Sequence, residues 1–295
     1  MDGLTIVDKP AGWTSHDVVA KMRGIARTRK VGHAGTLDPM ATGVLVLGVG
    51  KGTKLLGHLA LTDKAYTATI RFGASTVTDD AEGERTGGAD ASELDAAAIA
   101  HAMADFTGDI LQVPSAVSAI KINGERAYKR VRAGESVRLA ARPVTVSHFE
   151  LLTLSRPSSG LVDARVSVEC STGTYIRALA RDLGERFGVG AHLTALRRTR
   201  VGPFTVEQAR SLEQLAGFDE PVIFDLARAV RSAFEHRVVS DDHAASLRHG
   251  GFLPPVGMRG IYGVFDENGA VVALVQERKT KQGTISACPV VVLSV

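Results

Sequence analysis

The chain has 295 residues, 44% hydrophobic and 23% charged, a net charge of +3 and two cysteines. That length suits one large domain plus a small one, and the composition excludes a disordered chain. No apolar run nears the roughly 18 residues of a membrane span, the start MDGLTIVDKPAGW lacks the features of a signal peptide, and Cys170 with Cys288 cannot build a disulfide framework, so a reducing cytoplasm is expected.

In chain order, Leu4–Val7 reads as a short strand, stopped at Lys9-Pro10-Ala11-Gly12 because proline fixes the turn and lacks a backbone donor. Thr14 or Ser15 caps a helix that presents Val18, Val19, Met22 and Ile25 on one side. Val44–Leu47, enclosed by Gly43 and Gly48, reads as a buried strand. Ala65–Phe72 alternates, with Tyr66, Ala68, Ile70 and Phe72 on one face and Thr67, Thr69 and Arg71 on the other. A helix is expected from Ser92 to about Phe106. Leu161–Cys170 is strand-like, and Thr174–Phe187 is an amphipathic helix ended by Gly188. The order lacks a strict βαβ alternation, so an α+β fold with a mostly antiparallel, mixed sheet is expected.

From about Phe234 the pattern becomes a small β-rich module: a helix at Ala244–His249, strands at Ile261–Phe265 and Ala270–Gln276 around an Asn268-Gly269 turn, and a last strand near Ile285–Leu293. The expected division is 1–232 and 233–295.

Charge is segregated. Lys121, Arg126, Lys129, Arg130, Arg132, Arg138 and Arg142 face only Glu125 and Glu135 within their stretch. Arg177, Arg181, Arg186, Arg197, Arg198 and Arg200 form a second basic set. Such clusters make either a polyanion-binding face or ordinary solvated helix faces, and composition alone leaves both open.

The densest punctuation is Gly32-His33-Ala34-Gly35-Thr36-Leu37-Asp38-Pro39-Met40-Ala41-Thr42-Gly43, an irregular loop suited to holding a reactive side chain. A phosphate loop is excluded, since Gly43 and Gly48 have its spacing but Val49 stands where lysine is required. Asp38-Pro39 also suits a plain helix start, with aspartate as cap. His33 with Asp38 and His58 lacks any zinc-ligand spacing.

Lys9 to Ser15, the Gly32–Gly43 loop, Asp63-Lys64-Ala65-Tyr66, Thr78 to Gly83, Gln112 to Lys121, Cys170 to Arg177 and Gly190 to Leu193 resemble, in order, the successive motifs of the bacterial tRNA pseudouridine-55 synthases. Thr36 and Val77 vary where that family is permissive. The resemblance implies a pseudouridine synthase catalytic domain followed by a PUA-like RNA-binding barrel. It also implies isomerisation of a T-loop uridine of tRNA without cofactor or metal and with no obligate protein partner; a monomer is expected because no large unpaired apolar stripe is evident. Asp38 matches the family's catalytic aspartate, Arg177 the arginine that pairs with it, and Tyr66 the aromatic that stacks on the target base. His33 matches the residue filling the space of the extruded nucleotide, Asp80 a further carboxylate and Leu196 an apolar pocket wall. Lys9, Lys54 and Tyr175 complete the implied substrate contacts, with Lys121, Lys129 and Arg130 in an RNA-gripping loop at about 121–143.

Overall fold

The computed structural model describes residues 1–117, the backbone of 121–122 and 125–126, and residues 139–281 and 283–294. Ten strands build one mixed sheet. They are β1 (Gly3–Lys9), β2 (Val31–His33), β3 (Thr42–Val49), β4 (Lys64–Phe72), β5 (Gly108–Gln112), β6 (Arg142–Ser155), β7 (Val162–Cys170), β8 (Ala191–Val201), β9 (Phe204–Thr205) and β10 (Phe224–Asp225). Their spatial order is β10-β1-β3-β8-β4-β7-β6-β5, with β2 on β3 and β9 on β8. Among these pairings only β3 with β8 is parallel, Thr42 lying opposite Arg197 and Gly43 opposite Arg198. The irregular loop enters β3 at this seam, in the middle of the sheet.

The alternation of β4 is kept. Tyr66, Ala68, Ile70 and Phe72 are buried against Leu179 and Leu183 of helix Ile176–Arg186, while Thr67, Thr69 and Arg71 stay partly exposed on the other face. Helix Ser15–Ile25 is capped by Thr14, whose hydroxyl accepts from Asp17 N while Asp17 answers the Thr14 amide. Val18, Val19 and Met22 bury against Leu45 and Leu47 of β3.

Three boundaries differ from expectation. The third helix is Ala96–Ala104, capped by Asp95. Ser92 does not start it because its amide and hydroxyl both bond to Asp90 Oδ1 (2.8 and 2.6 Å), closing a turn. The later helix begins at Ile176, because Thr174 spends its hydroxyl on Ser171 O (3.0 Å) and the Tyr175 amide is taken by Gln112 Oε1 (2.8 Å). No helix follows Asp38: Ala41 N bonds to Asp38 O at 3.1 Å in a tight turn that runs into β3.

The tail carries β11 (His236–Val238), β12 (Ile261–Phe265), β13 (Val271–Lys279) and β14 (Ile285–Val292), hydrogen-bonded in that order. This path ends at β11 and β14 without closing among the described residues, so the module is an open sheet instead of a closed barrel. The Asp266–Gly269 turn is held by Asp266 Oδ1, which accepts from the amides of Asn268 and Ala270. Phe265, Val271, Leu274 and Leu293 of this region share one core with Leu4, Ile6 and Val44. The tail sheet is therefore packed onto the large one.

Gly43 has φ +100°, and a Cβ there would stand 2.2 Å from the Arg198 carbonyl oxygen across the parallel seam. Gly43→Ala is expected to cost about 2–3 kcal/mol of stability in urea unfolding, from left-handed strain and the clash together. A loss under half a kcal/mol would show that the seam tolerates separation.

Candidate active site

The loop from Ala34 to Ala41 has little regular structure, so its backbone must be satisfied by other elements. Arg198, on β8 and only 1% exposed, donates from Nη2 to Gly35 O (3.2 Å), from Nη1 to Thr36 O (3.2 Å) and from Nε to Val44 O (2.8 Å). Ser15 bonds both ways with Leu37, accepting from its amide at 2.9 Å and donating to its carbonyl at 3.1 Å. Lys9, fully buried at the end of β1, donates to Pro39 O (3.0 Å), Trp13 O (2.7 Å) and Pro10 O (2.9 Å). Burial pulls its ammonium down to about 8, against the opposing pull of Asp38 and Glu82.

So fixed, the loop presents Asp38 with about a third of its side chain exposed. Arg177, in the first turn of its helix, grips that carboxylate with both arms: Nε donates to Oδ2 at 3.0 Å and Nη2 to Oδ1 at 3.2 Å. A two-pronged pair of this kind sets orientation as well as charge. Arg177 is itself held from behind, since Nη1 donates to Thr78 O (2.9 Å) and lies 3.5 Å from Asp80 Oδ2. Asp80 Oδ1 accepts from the Thr78 hydroxyl and from the Glu82 amide (3.1 Å). The neighbouring Asp79 has φ +60°, a left-handed residue beside the pair.

Asp38 opens onto a cleft of about 260 Å³ bounded by Leu37, Lys64, Tyr66, Tyr175, Leu196 and Arg198 among others. Burial pushes the Tyr66 phenol above its usual range, with Arg198 beside it opposing. Lys64 donates to Ala60 O (2.7 Å) and Thr62 O, and burial lowers its ammonium to about 8. The cleft is apolar on its Leu37 and Leu196 walls and cationic on the Lys64 and Arg198 side. A flat heterocycle with carbonyl acceptors fits that chemistry.

Asp38, Tyr66, Arg177, Tyr175 and Leu196 are thus brought together, and Asp80 supports Arg177 from outside the cleft. His33 ends β2 just outside it, edge-on to His16 with centroids 5.6 Å apart, and burial lowers its pKa. Two expected substrate contacts are placed otherwise. Lys9 uses its donors on loop carbonyls, and Lys54 donates to Val292 O at 2.8 Å, tying β14 to the first half of the chain. Lys121 pairs with Arg126 through its backbone; its side chain, Lys129 and Arg130 lie outside the described residues, as does most of the basic loop.

The second basic set is also not a free face. Arg177 holds Asp38, Arg181 holds Asp79 and Asp182, Arg186 lies 3.6 Å from Asp105, Arg197 holds Asp8, and Arg200 holds Glu169. The loop-bracing roles of Arg198 and Ser15 and the cleft-side place of Lys64 escaped the sequence reading. For Arg198 the signal was there: on a strand it shares a face with Leu196, the pocket wall two residues earlier.

Residues 23–176 match the family described as TruB family pseudouridylate synthase, N-terminal domain. Residues 177–230 match the tRNA pseudouridylate synthase B C-terminal domain, and 234–294 the tRNA pseudouridine synthase II C-terminal domain. A tRNA pseudouridine synthase B of Nocardia farcinica is 61% identical over 279 residues, 94% of this chain and 90% of the relative. One of Thermobifida fusca is 55% identical over 296 residues, 99% of each. A chain in the structure of an H/ACA RNP bound to a substrate RNA containing 2′-deoxyuridine superposes with a TM-score of 0.73 at 26% identity, covering 99% of this chain and 85% of that one. The chain belongs to the TruB family and is a pseudouridine synthase.

Arg198 and Arg197 are neighbours with opposite surroundings. Arg198→Met takes the donor from the buried Val44 carbonyl and from the partly buried Gly35 and Thr36 carbonyls, and is expected to cost about 3–5 kcal/mol. Arg197→Met breaks a half-exposed pair with Asp8 and should cost below about 1 kcal/mol. Urea unfolding of both variants checks the contrast, and similar small losses would mean that Arg198 does not hold the loop.

Proposed function

We propose that this TruB-family chain converts the T-loop uridine of tRNA, position 55, to pseudouridine, with Asp38 as the catalytic carboxylate. The observation that carries this reading is the two-pronged Arg177–Asp38 pair facing the cleft beside Tyr66. The tRNA substrate is supported by relatives named tRNA pseudouridine synthase B.

The reaction breaks the N1–C1′ bond, turns the uracil and joins C5 to C1′; the C5 proton leaves to solvent and N1 regains one. Reactant and product are isomers. The chain's task is to extract the base, hold both fragments and supply a carboxylate in reach of the bond that breaks. A base inside a stacked loop must first be flipped out, at a cost of about a few kcal/mol offset by pocket contacts. In this reading Tyr66 stacks on the uracil, Leu196 walls it and Tyr175 borders it. Arg177 keeps Asp38 aimed, Asp80 keeps Arg177 aimed, and His33 fills the gap left in the loop. Lys9 acts on the loop and not on the RNA, and Lys54 joins the two sheets.

The units 1–232 and 233–295 then divide the work into catalysis and RNA holding, in a soluble, cytoplasmic enzyme acting as a monomer without a guide RNA. The stretch 121–143, with Lys121, Lys129 and Arg130, grips the arm of the tRNA through its phosphates.

With tRNA transcript tritiated at uracil C5, wild type should release tritium, mapped to the T-loop uridine, and Asp38→Asn should fall at least about 1,000-fold while still binding tRNA. Release by both proteins would mean another carboxylate does the work, and tight binding without any release would favour an RNA-folding protein. Neutralising Lys129, Arg130 and Arg132 together should weaken tRNA binding and lower the slope of log K against log salt by about 2–3. An unchanged slope would remove the loop from the binding surface.

A further inference from the structure

Trp13 is the only tryptophan in the chain, and 38% of it is exposed. An indole is among the largest apolar surfaces a residue offers, and one left open on a rigid segment is suited to a flat partner. The segment is rigid here. The Trp13 carbonyl accepts the Lys9 ammonium that also holds Pro39 O, and Gly12 N donates to the same Pro39 carbonyl at 2.8 Å. Immediately after it, Thr14 and Asp17 close a capping box, and Ser15 is bonded to Leu37. Trp13 is thus tied to Pro39, the residue following Asp38, through the Lys9 ammonium that its carbonyl accepts and through the amide of its neighbour Gly12. The exposed His16, three residues on, stands edge-on to His33, so a second flat ring lies on the same pair of segments.

We infer that Trp13 is a stacking platform for an unpaired nucleobase of the RNA loop that carries the target uridine. This deepens the proposed function and rests on it. Flipping one nucleotide out of a loop removes stacking partners from the bases beside it, and an exposed indole on the segment that Lys9 ties to Pro39 replaces one of them. Every base has a π-face, so such a platform tolerates sequence differences between tRNAs. The cleft holds the uracil; Trp13, which is not among its lining residues, holds a neighbour.

Because the tryptophan is single, its emission reports this site alone. The wild-type protein is titrated with a tRNA T-arm stem–loop, and binding is followed in parallel by anisotropy of end-labelled RNA. The expected result is a saturable change in tryptophan emission with the same midpoint as the anisotropy. In steady-state tritium release, Trp13→Ala and Trp13→Leu should raise KM for the stem–loop about tenfold or more with kcat within about twofold, while Trp13→Phe stays within about threefold of wild-type KM. Unchanged emission at saturating RNA, or wild-type KM in the Ala and Leu variants, would overturn the inference. If either occurs while the T-loop uridine is still isomerised, only Trp13 is misassigned. If wild type isomerises nothing, the proposed function fails, and the emission titration still decides whether a base reaches Trp13.

Discussion

The site depends on a guanidinium buried in the middle of the sheet. Arg198 carries its charge at 1% exposure, a position tolerable only if its donors are met. The acceptors it meets are carbonyls of Gly35 and Thr36 in the loop and Val44 in the adjacent strand. One end of an otherwise irregular loop is therefore bonded to β8. Lys9 does the same at the other end, through Pro39 O, and Ser15 holds Leu37 between them. The loop's carbonyls are satisfied by side chains from three different elements, which leaves the Asp38 side chain available to Arg177. An irregular loop is usually the mobile part of a protein; here it is among the most constrained.

Charge is used in two layers. Nearest the cleft, Arg177 faces Asp38 and Asp80, and Arg181 faces Asp79 and Asp182. The arginines of residues 177–200 are almost entirely consumed in this way or in pairs with Asp8 and Glu169. They add little free positive potential, so attraction of a polyanion falls to other residues. The stretch 121–142 holds seven cations against two acids, and no comparable excess occurs in the other set once its partners are counted. In the proposed reading a near-neutral protein holds RNA on that basis, with cations inside for architecture and a separate cluster for phosphates.

Much of the frame was legible because it follows from periodicity. The two-residue alternation of β4 and the helical spacing of Ile176, Leu179, Ala180 and Leu183 directly predict which faces are buried, and the structure buries them. What failed had non-local or competing causes. Ser92 has the chemistry of a helix cap, but Asp90 two residues earlier captures it first. Lys9 and Lys54 were assigned as substrate contacts by the resemblance; carbonyls that they hold, of Pro39 and Val292, are 30 and 238 positions away. Arg198 was counted as surface charge because a basic run suggests a charged face, although it lies two residues beyond Leu196, which the resemblance implied as a pocket wall. Ordered motifs made the Asp38, Tyr66 and Arg177 grouping legible; the buried cations that brace it were not, since propensity has no term for a charge satisfied by backbone.

That arrangement also separates two requirements that conflict in a single side chain. In the proposed reaction, Asp38 must be held still enough to be aimed yet remain open enough to meet a nucleotide. If its carboxylate oriented itself by deep burial, as Asp80 does at 4% side-chain exposure, it would be closed to substrate; at 34% it is open and therefore free to turn. The fold resolves this by moving the burial to the partners. Arg177, with 6% side-chain exposure, takes its orientation from Thr78 and Asp80, and its planar fork passes that orientation to both oxygens of Asp38. Precision is thus built in a buried layer and delivered to an exposed one, through a geometry that lysine, as a point charge, cannot transmit.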